Sequence, residues 1–516
     1  MGNFIKIYLW QVISILFNFA ALFIVTPFLS SNPPLYGIYT IVISAYLFIA
    51  YADFGFLSAG MKYAAESFAL KKQKEEIEII GFSGFIFLCF VILYALVIII
   101  VSFKPEILIE GLKSASERAI ATKLLLILAI FSPVFVFQRI IQIIFGVRLQ
   151  DYKFQRILII SNIIKISSTF YFFRNGNYQI VEYFLFSQLC ILGAVIAGII
   201  LSKKQLNYDI LFLFKSLKFS KAIYLKTKKL AFTSIFLTIS WILYYEMDPF
   251  IIGKFLGTNS VAIYAIGLTL ISYFRSLFGI LFTPFVAKFN HFVGLQDKVG
   301  LQNYFVKVLI IFLPLTVFPV LSTFLSINSF ILSWVGSQYS SSIVIAKILV
   351  LSYIFSFITS PSGILIMANE RVKALFITST LQPIIFWLGV ICTFNSFGLA
   401  AFAYFKFIAL LLESIIYLFI ITKFLEINII HIFKQIMIPS FIPIIFIIVT
   451  YLLLKNQFPL QQNKLNLVKY CVLNMTCIFL GLISYYFTSS VFREFINKTY
   501  NNFKIKLLKT TINAKT

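Results

Sequence analysis

The sequence predicts an all-α polytopic membrane protein of about fourteen transmembrane helices, arranged as two six-helix lobes plus two C-terminal helices. Of the 516 residues, 60% are hydrophobic and only 12% are charged, whereas soluble domains carry about 25% charged residues. Apolar runs longer than about 18 residues, the length of a membrane-spanning helix, recur along the whole chain. These runs are continuously apolar, while the strands of a membrane barrel alternate between apolar and polar residues.

Fourteen segments have the length and composition of membrane spans. The first is too long for a cleaved signal peptide, and no small-residue cleavage pattern follows it. Paired prolines in "SSNPP" (Ser30–Pro34) predict the turn between the first two spans. The predicted spans cover residues 8–30, 35–58, 79–102, 121–146, 156–173, 180–202, 230–252, 260–286, 304–326, 342–367, 372–394, 398–421, 433–454 and 466–488.

The basic residues predict the orientation of these spans, because positively charged loops stay in the cytoplasm. With the N-terminus inside, 29 of the 43 lysines and arginines fall in inside segments, nine in outside segments and five within spans. We therefore predict that both termini are cytoplasmic. The net charge of +25 then faces anionic lipid headgroups, so it does not indicate nucleic acid as a partner.

The longest inside segment, Ser202–Leu230, is basic and aromatic, which is typical of an amphipathic segment at the membrane interface. On either side of it, Pro34–Ile49 resembles Asn259–Phe274 at an offset of 225 residues. Two parallel repeats of six spans would produce this pattern. The predicted domains are an N-terminal lobe (1–202), a basic linker (203–229), a C-terminal lobe (230–421), two extra spans (422–488) and a basic cytoplasmic tail (489–516).

The sequence indicates that the protein transports a substrate across the membrane and does not catalyse a reaction. The longest outside loop, Phe103–Ile120, is too short for a catalytic domain, and the chain has no GxxxxGK[ST] phosphate loop. The five cysteines show neither disulfide nor metal spacing. Glu246 and Asp248 form a poor metal site, because residues two apart point to different faces of a helix. We predict no enzyme activity, no catalytic residue, no metal and no cofactor.

Two basic residues lie near the centre of predicted spans, where a charge costs at least about 2.5–3.5 kcal/mol and usually faces a cavity or a partner. Arg275 is too deep in the eighth span to reach the headgroups easily. Lys165 in the fifth span is flanked by polar residues, which predicts the lining of a cavity. Those neighbours are Ser161, Asn162, Ser167, Ser168 and Thr169.

Three further cations lie within spans. Arg139 and Lys347 are nearer the span ends, where snorkelling to the headgroups is the alternative to a buried role. Lys406 precedes Glu413 by seven residues, which places both on one helix face two turns apart. They are either a structural pair with partners on other helices or part of an ion path.

The acids within spans are Asp53, Glu246, Asp248 and Glu413, and they are the candidates for ion coupling or for a gate. Deep cations that share a cavity make it electropositive. This favours an anionic substrate such as a phosphate-bearing lipid or glycan, since Arg and Lys both bind phosphate. A transporter of organic cations is expected to have acids there instead.

Two segments resemble a known family. "LYGIYTIVISAYLFIAYADFGFLSAGMKYAAE" (Leu35–Glu66) has an aromatic-Gly-x-Tyr opening, a span, and a D-x-G turn before a charged helix. "DPFIIGKFLGTNSVAIYAIGLTL" (Asp248–Leu270) has an acid, an Ile-Ile-Gly and a Gly-containing turn. Both are similar to Wzx-type flippases of O-antigen and related repeat units, within the multidrug/oligosaccharidyl-lipid/polysaccharide (MOP) exporter superfamily.

The resemblance implies a MATE-like pair of lobes around a cationic cavity in the bacterial inner membrane. It implies that an undecaprenyl-pyrophosphate-linked oligosaccharide, made on the cytoplasmic face, is carried to the outer face in exchange for protons or another ion. Membrane lipids, a polysaccharide polymerase and a chain-length regulator are the other implied partners. Lys165 and Arg275 are the predicted contacts of the anionic headgroup, followed by Arg139 and Lys406.

Asp53 is predicted to be a structural anchor at the inner end of the second span, beside Gly55, Ala59 and Gly60, which permit close helix packing; the alternative is a titratable gate. Four other functions remain open. A drug or cation exporter and a lipid II flippase belong to the same superfamily. A membrane-embedded glycan polymerase would need a larger outer loop, and a purely structural scaffold would leave the buried charges unexplained.

Overall fold

The computed structural model describes residues 2–51, 53, 55–110, 112, 114–369, 372–457 and 463–513 of the chain. Within these ranges the chain forms eighteen α-helices, several single 3-10 turns and no strand, so the predicted all-α class is confirmed. Ala52 and Phe54 of the D-x-G segment and residues 514–516 of the predicted tail lie outside the described residues. Two compact units are present, Met1–Ala265 and Ile266–Thr516, while the predicted domain limits around the linker 203–229 stay a prediction.

The first unit contains nine complete helices and the beginning of α10, which continues into the second unit. Most of the nine exceed the roughly 20 residues that cross a bilayer, while α2, α3 and α8 are shorter. Their bounds are α1 (Gly2–Leu29), α2 (Pro33–Ile49), α3 (Phe56–Ala69), α4 (Gln73–Ser102), α5 (Ala115–Val147), α6 (Asp151–Phe172), α7 (Ile180–Leu206), α8 (Ile210–Lys215), α9 (Lys221–Tyr245) and α10 (Asp248–Gly294).

The second unit contains the rest of α10 and eight further helices. The long α11 packs against α12, α16 and α17, and α14 packs along α15. A 3-10 turn, Tyr353–Phe355, joins α12 to α13. The bounds are α11 (Lys298–Val335), α12 (Ser342–Ser352), α13 (Ser356–Ala368), α14 (Val372–Phe397), α15 (Leu399–Leu425), α16 (Ile429–Leu454), α17 (Lys464–Thr488) and α18 (Ser490–Asn513).

Eleven stretches of the described residues are long and apolar enough to cross a membrane, which makes the chain a multi-pass membrane protein. Ten of them coincide with one predicted span each, and Ser234–Phe282 covers the seventh and eighth together. The second predicted span corresponds to α2, of only 17 residues, followed by α3. The fifth corresponds to α6, which carries more charge. The number fourteen therefore stays a prediction.

Two predicted spans are interrupted in the first unit. The second span was expected to run continuously over residues 35–58, but α2 ends at Ile49 and α3 begins only at Phe56. The seventh was expected over 230–252, yet α9 ends at Tyr245 and α10 begins at Asp248. Both continuous spans were wrong predictions. In the seventh span the reason is Pro249, which fits the first turn of a helix but cannot continue the hydrogen bonds of α9.

Glycine makes the interruption of the second span possible and lets α3 pack closely. Gly55 has a φ of +74°, in the left-handed region that other residues rarely adopt. Its position against Ala231 and Ser234 of α9 leaves no room for a side chain. At Gly60 a Cβ atom would collide with the hydroxyl of Ser83, so α3 also lies directly against α4. These contacts place Asp53 and α3 firmly within the first unit.

Candidate functional site

A cavity of about 310 Å³ lies within the first unit, between α3, the last turns of α5 and the first turns of α6. Its walls are partly polar and partly apolar, and the apolar part includes Phe145 and Phe154. Because α5 turns into α6 here, the cavity lies at the end of the unit that is predicted to face the cytoplasm. We call it the polar pocket; its polar lining residues are Asp53, Ser58, Arg139, Gln142, Asp151 and Gln155.

Local sequence spacing directs these side chains into the pocket. Arg139, Gln142 and Ile143 are three and four residues apart on α5, and Asp151 and Gln155 are four apart on α6. Residues with this spacing lie on one face of a helix. The polar residues of α5 and α6 therefore form two short stripes that face a common space.

Asp53 has a structural role in addition to lining the pocket. The backbone N–H groups of Gly55 and Leu57 lie near its carboxylate. They belong to the N-terminal end of α3, for which Gly55 is the N-cap residue and where N–H groups have no helical partner. The carboxylate is therefore placed to stabilise the positive end of α3 electrostatically. This agrees with the predicted anchor; the predicted gate role stays untested.

The charges in the polar pocket are mixed. Arg139 donates from Nη1 to Oε1 of Gln142, one turn away on the same helix, at 3.2 Å. Its guanidinium lies 5.7 Å from the ring centroid of Phe135 and close enough to Asp53 for the two charges to interact. With Asp151 included, one guanidinium faces a space that it shares with two carboxyl groups.

Two acceptors of the polar pocket have no protein donor. Oδ1 of Asp151 and Oε1 of Gln155 are buried, and neither has a hydrogen-bond partner among the described residues. A buried polar group without a partner costs about 1–3 kcal/mol, so such atoms call for an explanation. Sequence analysis missed both residues, because they precede the apolar part of the fifth span and resembled a solvent-facing helix end.

Lys165 lies further along α6, half-buried and beside Cys190 of α7. At least two of the polar residues that were predicted to line a cavity around Lys165 have another role. Ser161 donates to the carbonyl oxygen of Cys190 at 2.9 Å, and Asn162 donates to Asn18 of α1 at 3.0 Å. These polar side chains connect α6 to its neighbours, and the cavity contact of Lys165 stays a prediction.

The other two predicted cations belong to the second unit. Arg275 is half-buried on α10. Lys406, on α15, is only 1% exposed, with its ammonium 5.2 Å from the ring centroid of Phe386 on α14. The cations thus occur in both units, Lys165 and Arg139 in the first, Arg275 and Lys406 in the second. Whether they share one cavity stays a prediction.

Glu413 takes part in a polar ladder between α14 and α15. Gln382 donates to its Oε2 at 3.1 Å. One turn along each helix, the hydroxyls of Thr378 and Tyr417 are hydrogen-bonded at 3.2 Å. The two pairs follow the register of an antiparallel helical hairpin. Of the two roles predicted for Lys406 and Glu413, the contacts favour the structural one, with partners on a neighbouring helix.

The acids of the interrupted seventh span each bind a tyrosine. Tyr51 donates to Oε1 of Glu246 at 3.3 Å and itself accepts from Nε1 of Trp241 at 2.8 Å. Tyr264 donates to Oδ2 of Asp248 at 2.6 Å. The two carboxylates thus contact different neighbours. Among the described residues, no three histidine, cysteine, aspartate or glutamate side chains gather as a metal site would require.

A closed ion pair lies near the end of the first unit that contains the polar pocket. Nη1 and Nη2 of Arg148, just after α5, donate to Oε1 and Oε2 of Glu76 on α4 at 2.6 and 3.0 Å. The guanidinium lies 4.7 Å from the ring of Phe68 and 5.0 Å from that of Tyr208. Burial, and then the nearby Glu76 carboxylate, raise the pKa of the Tyr208 hydroxyl. Sequence analysis did not predict this pair.

Comparison with solved structures identifies the fold. A lipid II flippase, MurJ, in an inward closed conformation aligns with a TM-score of 0.69 and 17% identity over 96% of this chain and 99% of its own. An inward-facing multidrug resistance MATE family transporter of the MOP superfamily aligns with 0.63 and 11% identity over 80% of this chain and 94% of its own. A MOP superfamily transporter from Pyrococcus furiosus aligns with 0.59 and 10% identity over 82% and 95%.

No family model matches the sequence, and no curated protein matches it significantly. At identities this low the structural likeness shows the fold alone. The predicted architecture is confirmed at that level: the chain has the all-α fold of MOP superfamily flippases and transporters.

Proposed function

We propose that this protein is a flippase that carries undecaprenyl-pyrophosphate-linked oligosaccharide repeat units from the cytoplasmic to the outer face of a bacterial inner membrane. The extent of the structural likeness supports this proposal. The likeness to the lipid II flippase covers 96% of the chain, whereas that to the two other transporters covers 80% and 82%. A lipid-linked glycan is therefore a better candidate substrate than a small drug.

The cations within the predicted spans suit the anionic part of such a substrate. A basic residue at bilayer depth is costly and usually has a function. Lys165 and Arg275 are the proposed contacts of the pyrophosphate, because both occur within apolar helices and remain partly accessible. Lys406 is a secondary candidate, since it is almost fully buried against Phe386. Arg139, the other predicted headgroup contact, shares the polar pocket with two carboxyl groups, so we do not propose it as a contact of the pyrophosphate.

The acids provide candidates for ion coupling. Glu246 and Asp248 flank the interruption between α9 and α10, and Asp53 lies in the interruption between α2 and α3. Irregular backbone at membrane depth is tolerated where it is buried in protein or lines a cavity. We propose these three as residues that respond to the coupling ion or act at a gate, and Glu413 as the weakest candidate, because its hydrogen bond with Gln382 favours a structural role. Both termini are proposed to be cytoplasmic, and a polysaccharide polymerase and a chain-length regulator are the proposed protein partners.

Two alternatives follow from the same fold. The likeness to MATE transporters reaches a TM-score of 0.63. A multidrug exporter, which would carry a different class of substrate, is therefore one alternative. A lipid II flippase is the nearer alternative and differs only in the glycan carried. Both are distinguished from the proposed function by the substrate that accumulates when the protein is missing.

The test is deletion of the gene in its host, followed by measurement of radiolabelled undecaprenyl-linked oligosaccharide and of surface polysaccharide. We expect single lipid-linked repeat units to accumulate and surface polysaccharide to be lost. Wild-type protein and Lys347→Ala, a control that removes a different span cation, should restore both, while Lys165→Ala and Arg275→Ala should not. Normal surface polysaccharide with a new sensitivity to cationic dyes would contradict the proposal and favour the drug exporter.

A further inference from the structure

We infer that the polar pocket binds a single neutral sugar ring of the transported repeat unit, and this inference rests on the proposed function. The pocket lies where α5 turns into α6, at the end of the first unit that is predicted to face the cytoplasm. That is the side on which the proposed substrate is assembled. The pocket is thus a sugar subsite separate from the pyrophosphate contacts proposed for Lys165 and Arg275.

The size and the walls of the pocket suit one sugar ring. Its volume of about 310 Å³ is at the lower end of the roughly 300–1,000 Å³ found for small-molecule sites. A lipid-linked oligosaccharide could place only one residue in it. Phe145 and Phe154, whose rings stack 6.2 Å apart with nearly parallel planes, are buried in the hydrophobic core behind the pocket and give its base a rigid apolar support.

The hydrogen-bonding groups of the pocket complement hydroxyl groups. Oδ1 of Asp151 and Oε1 of Gln155 are buried acceptors that need donors, and they find none among the described residues. Sugar hydroxyls donate such bonds and can accept others at the same time. The guanidinium of Arg139 has five N–H donors, and one of them donates to Gln142. The others can donate hydrogen bonds to oxygen atoms of the same sugar.

The charges of the pocket argue against an ionic ligand. A phosphate group would face the carboxyl groups of Asp53 and Asp151, while a cation would face the guanidinium of Arg139. Like charges in a confined site are strongly unfavourable. A neutral polyhydroxyl ligand is repelled by none of these groups and can bond to all of them. Arg139 therefore contacts the sugar and not the pyrophosphate.

The first arm of the test measures binding of two radiolabelled lipids to the purified full-length protein in nanodiscs. One is undecaprenyl pyrophosphate without sugar, and the other is the lipid-linked repeat unit extracted from the deletion strain. For Asp151→Leu and Gln155→Leu, which each remove the acceptor, we expect roughly tenfold weaker binding of the sugar-bearing lipid only, because lost hydrogen bonds of this kind typically give such factors. Gln138→Leu is the matched control, since the Oε1 atom of Gln138 is also buried without a partner but Gln138 does not line the pocket.

Retained binding of the sugar-free lipid shows that a variant is folded. Equal losses for both lipids, or no loss for either, would overturn the sugar subsite. If the wild-type protein bound neither lipid, the proposed function would fail, and a second arm would still decide the role of the pocket.

The second arm uses Ser58→Cys, which places a thiol at an exposed position of the pocket lining. The rate of its modification by a water-soluble maleimide is measured by mass spectrometry with and without glucose, galactose, N-acetylglucosamine or rhamnose. We expect at least one of these sugars to slow the modification, and the added Gln155→Leu change to abolish the protection. Ser31→Cys, in the exposed turn before α2, should show no protection. Lack of protection by all four sugars would overturn the inference.

Discussion

Two arginines of the first unit, one within α5 and one directly after its last residue, are held in opposite ways. Arg148, at the end of α5, makes a bidentate ion pair with Glu76 and lies between two aromatic rings. Arg139, nine residues earlier, donates a hydrogen bond only to Gln142 of its own helix among the described residues. Its side chain faces a cavity. Both are arginines near the C-terminal end of α5, yet one charge is closed off and the other faces a space large enough for a ligand.

The difference separates structural charges from functional ones. A buried charge whose hydrogen bonds are all made within the protein fixes helices and has no capacity left for a ligand. A charge that shares a cavity with unpartnered acceptors keeps that capacity. In the second unit, Gln382 donates to Oε2 of Glu413 and connects α14 to α15, so Glu413 resembles the structural kind. The distinction also predicts how variants divide between loss of stability and loss of binding.

The largest loss of stability is expected for Glu76→Ala. It leaves the Arg148 guanidinium, 7% exposed, buried without its carboxylate, a change that typically costs about 3–5 kcal/mol. The free energy of unfolding in detergent micelles measures this effect. Glu75→Ala is the matched control, because its side chain is exposed and its ion pairs with Lys72 and Lys226 are screened by water. An equal effect of both substitutions would show that the ion pair is not the stabilising feature.

A smaller loss is expected for Asp53→Ala, which removes a carboxylate from the positive end of α3. A negative charge at a helix N-terminus contributes about 0.3–1 kcal/mol, and the same unfolding measurement detects its loss. Asp53→Asn removes the charge but keeps the shape of the side chain, so it should destabilise the protein as much as Ala does. If Asn stayed at wild-type stability while Ala did not, the polar side chain and not its charge would be the important property.

Arg139→Gln is expected to change stability by less than about 1.5 kcal/mol, since it removes one hydrogen bond to Gln142. Its effect on binding of the sugar-bearing lipid should be much larger, at least about tenfold, because the side chain faces the pocket. The two quantities are measured on the same purified sample. A large loss of stability with unchanged binding would place Arg139 in the same structural class as Arg148.

The smallest effect is expected for Tyr208→Phe. The Tyr208 hydroxyl is buried and has no hydrogen-bond partner among the described residues, so its removal should leave the unfolding free energy unchanged or slightly higher. Tyr208→Leu removes the ring over Arg148 and should lose about 0.5–2 kcal/mol of cation–π attraction. Equal destabilisation by Phe and Leu would mean that the hydroxyl, and not the ring, supports the ion pair.

The fold was largely predictable because membrane spans leave a strong local signal. The predicted span 180–202 lies within α7, and 342–367 matches Ser342–Ala368 within one residue. The D-x-G turn at Asp53 was expected from the resemblance, although the span was drawn through it. The end of α9 was missed, because an apolar run of residues hides an interruption of its hydrogen bonds.

The polar pocket could be predicted only in part. Asp53 and Arg139 were singled out because charges inside apolar spans are conspicuous. Asp151 and Gln155 were not, since polar residues at a span end are ordinary there. What brings residues 53, 139 and 151 together is the packing of α3 against α5 and of α5 against α6, and such long-range contacts have no signature in a single sequence.

The most direct test of the central claim is transbilayer movement in proteoliposomes. The lipid-linked repeat unit is incorporated in both leaflets, and a membrane-impermeant oxidant reports how much of its sugar becomes accessible from outside. We predict that wild-type protein and Lys347→Ala expose all of the substrate, while protein-free vesicles and the Lys165→Ala/Arg275→Ala variant keep the inner leaflet's share protected. If vesicles with folded wild-type protein protected as much substrate as protein-free vesicles, the protein would not be a flippase for this lipid.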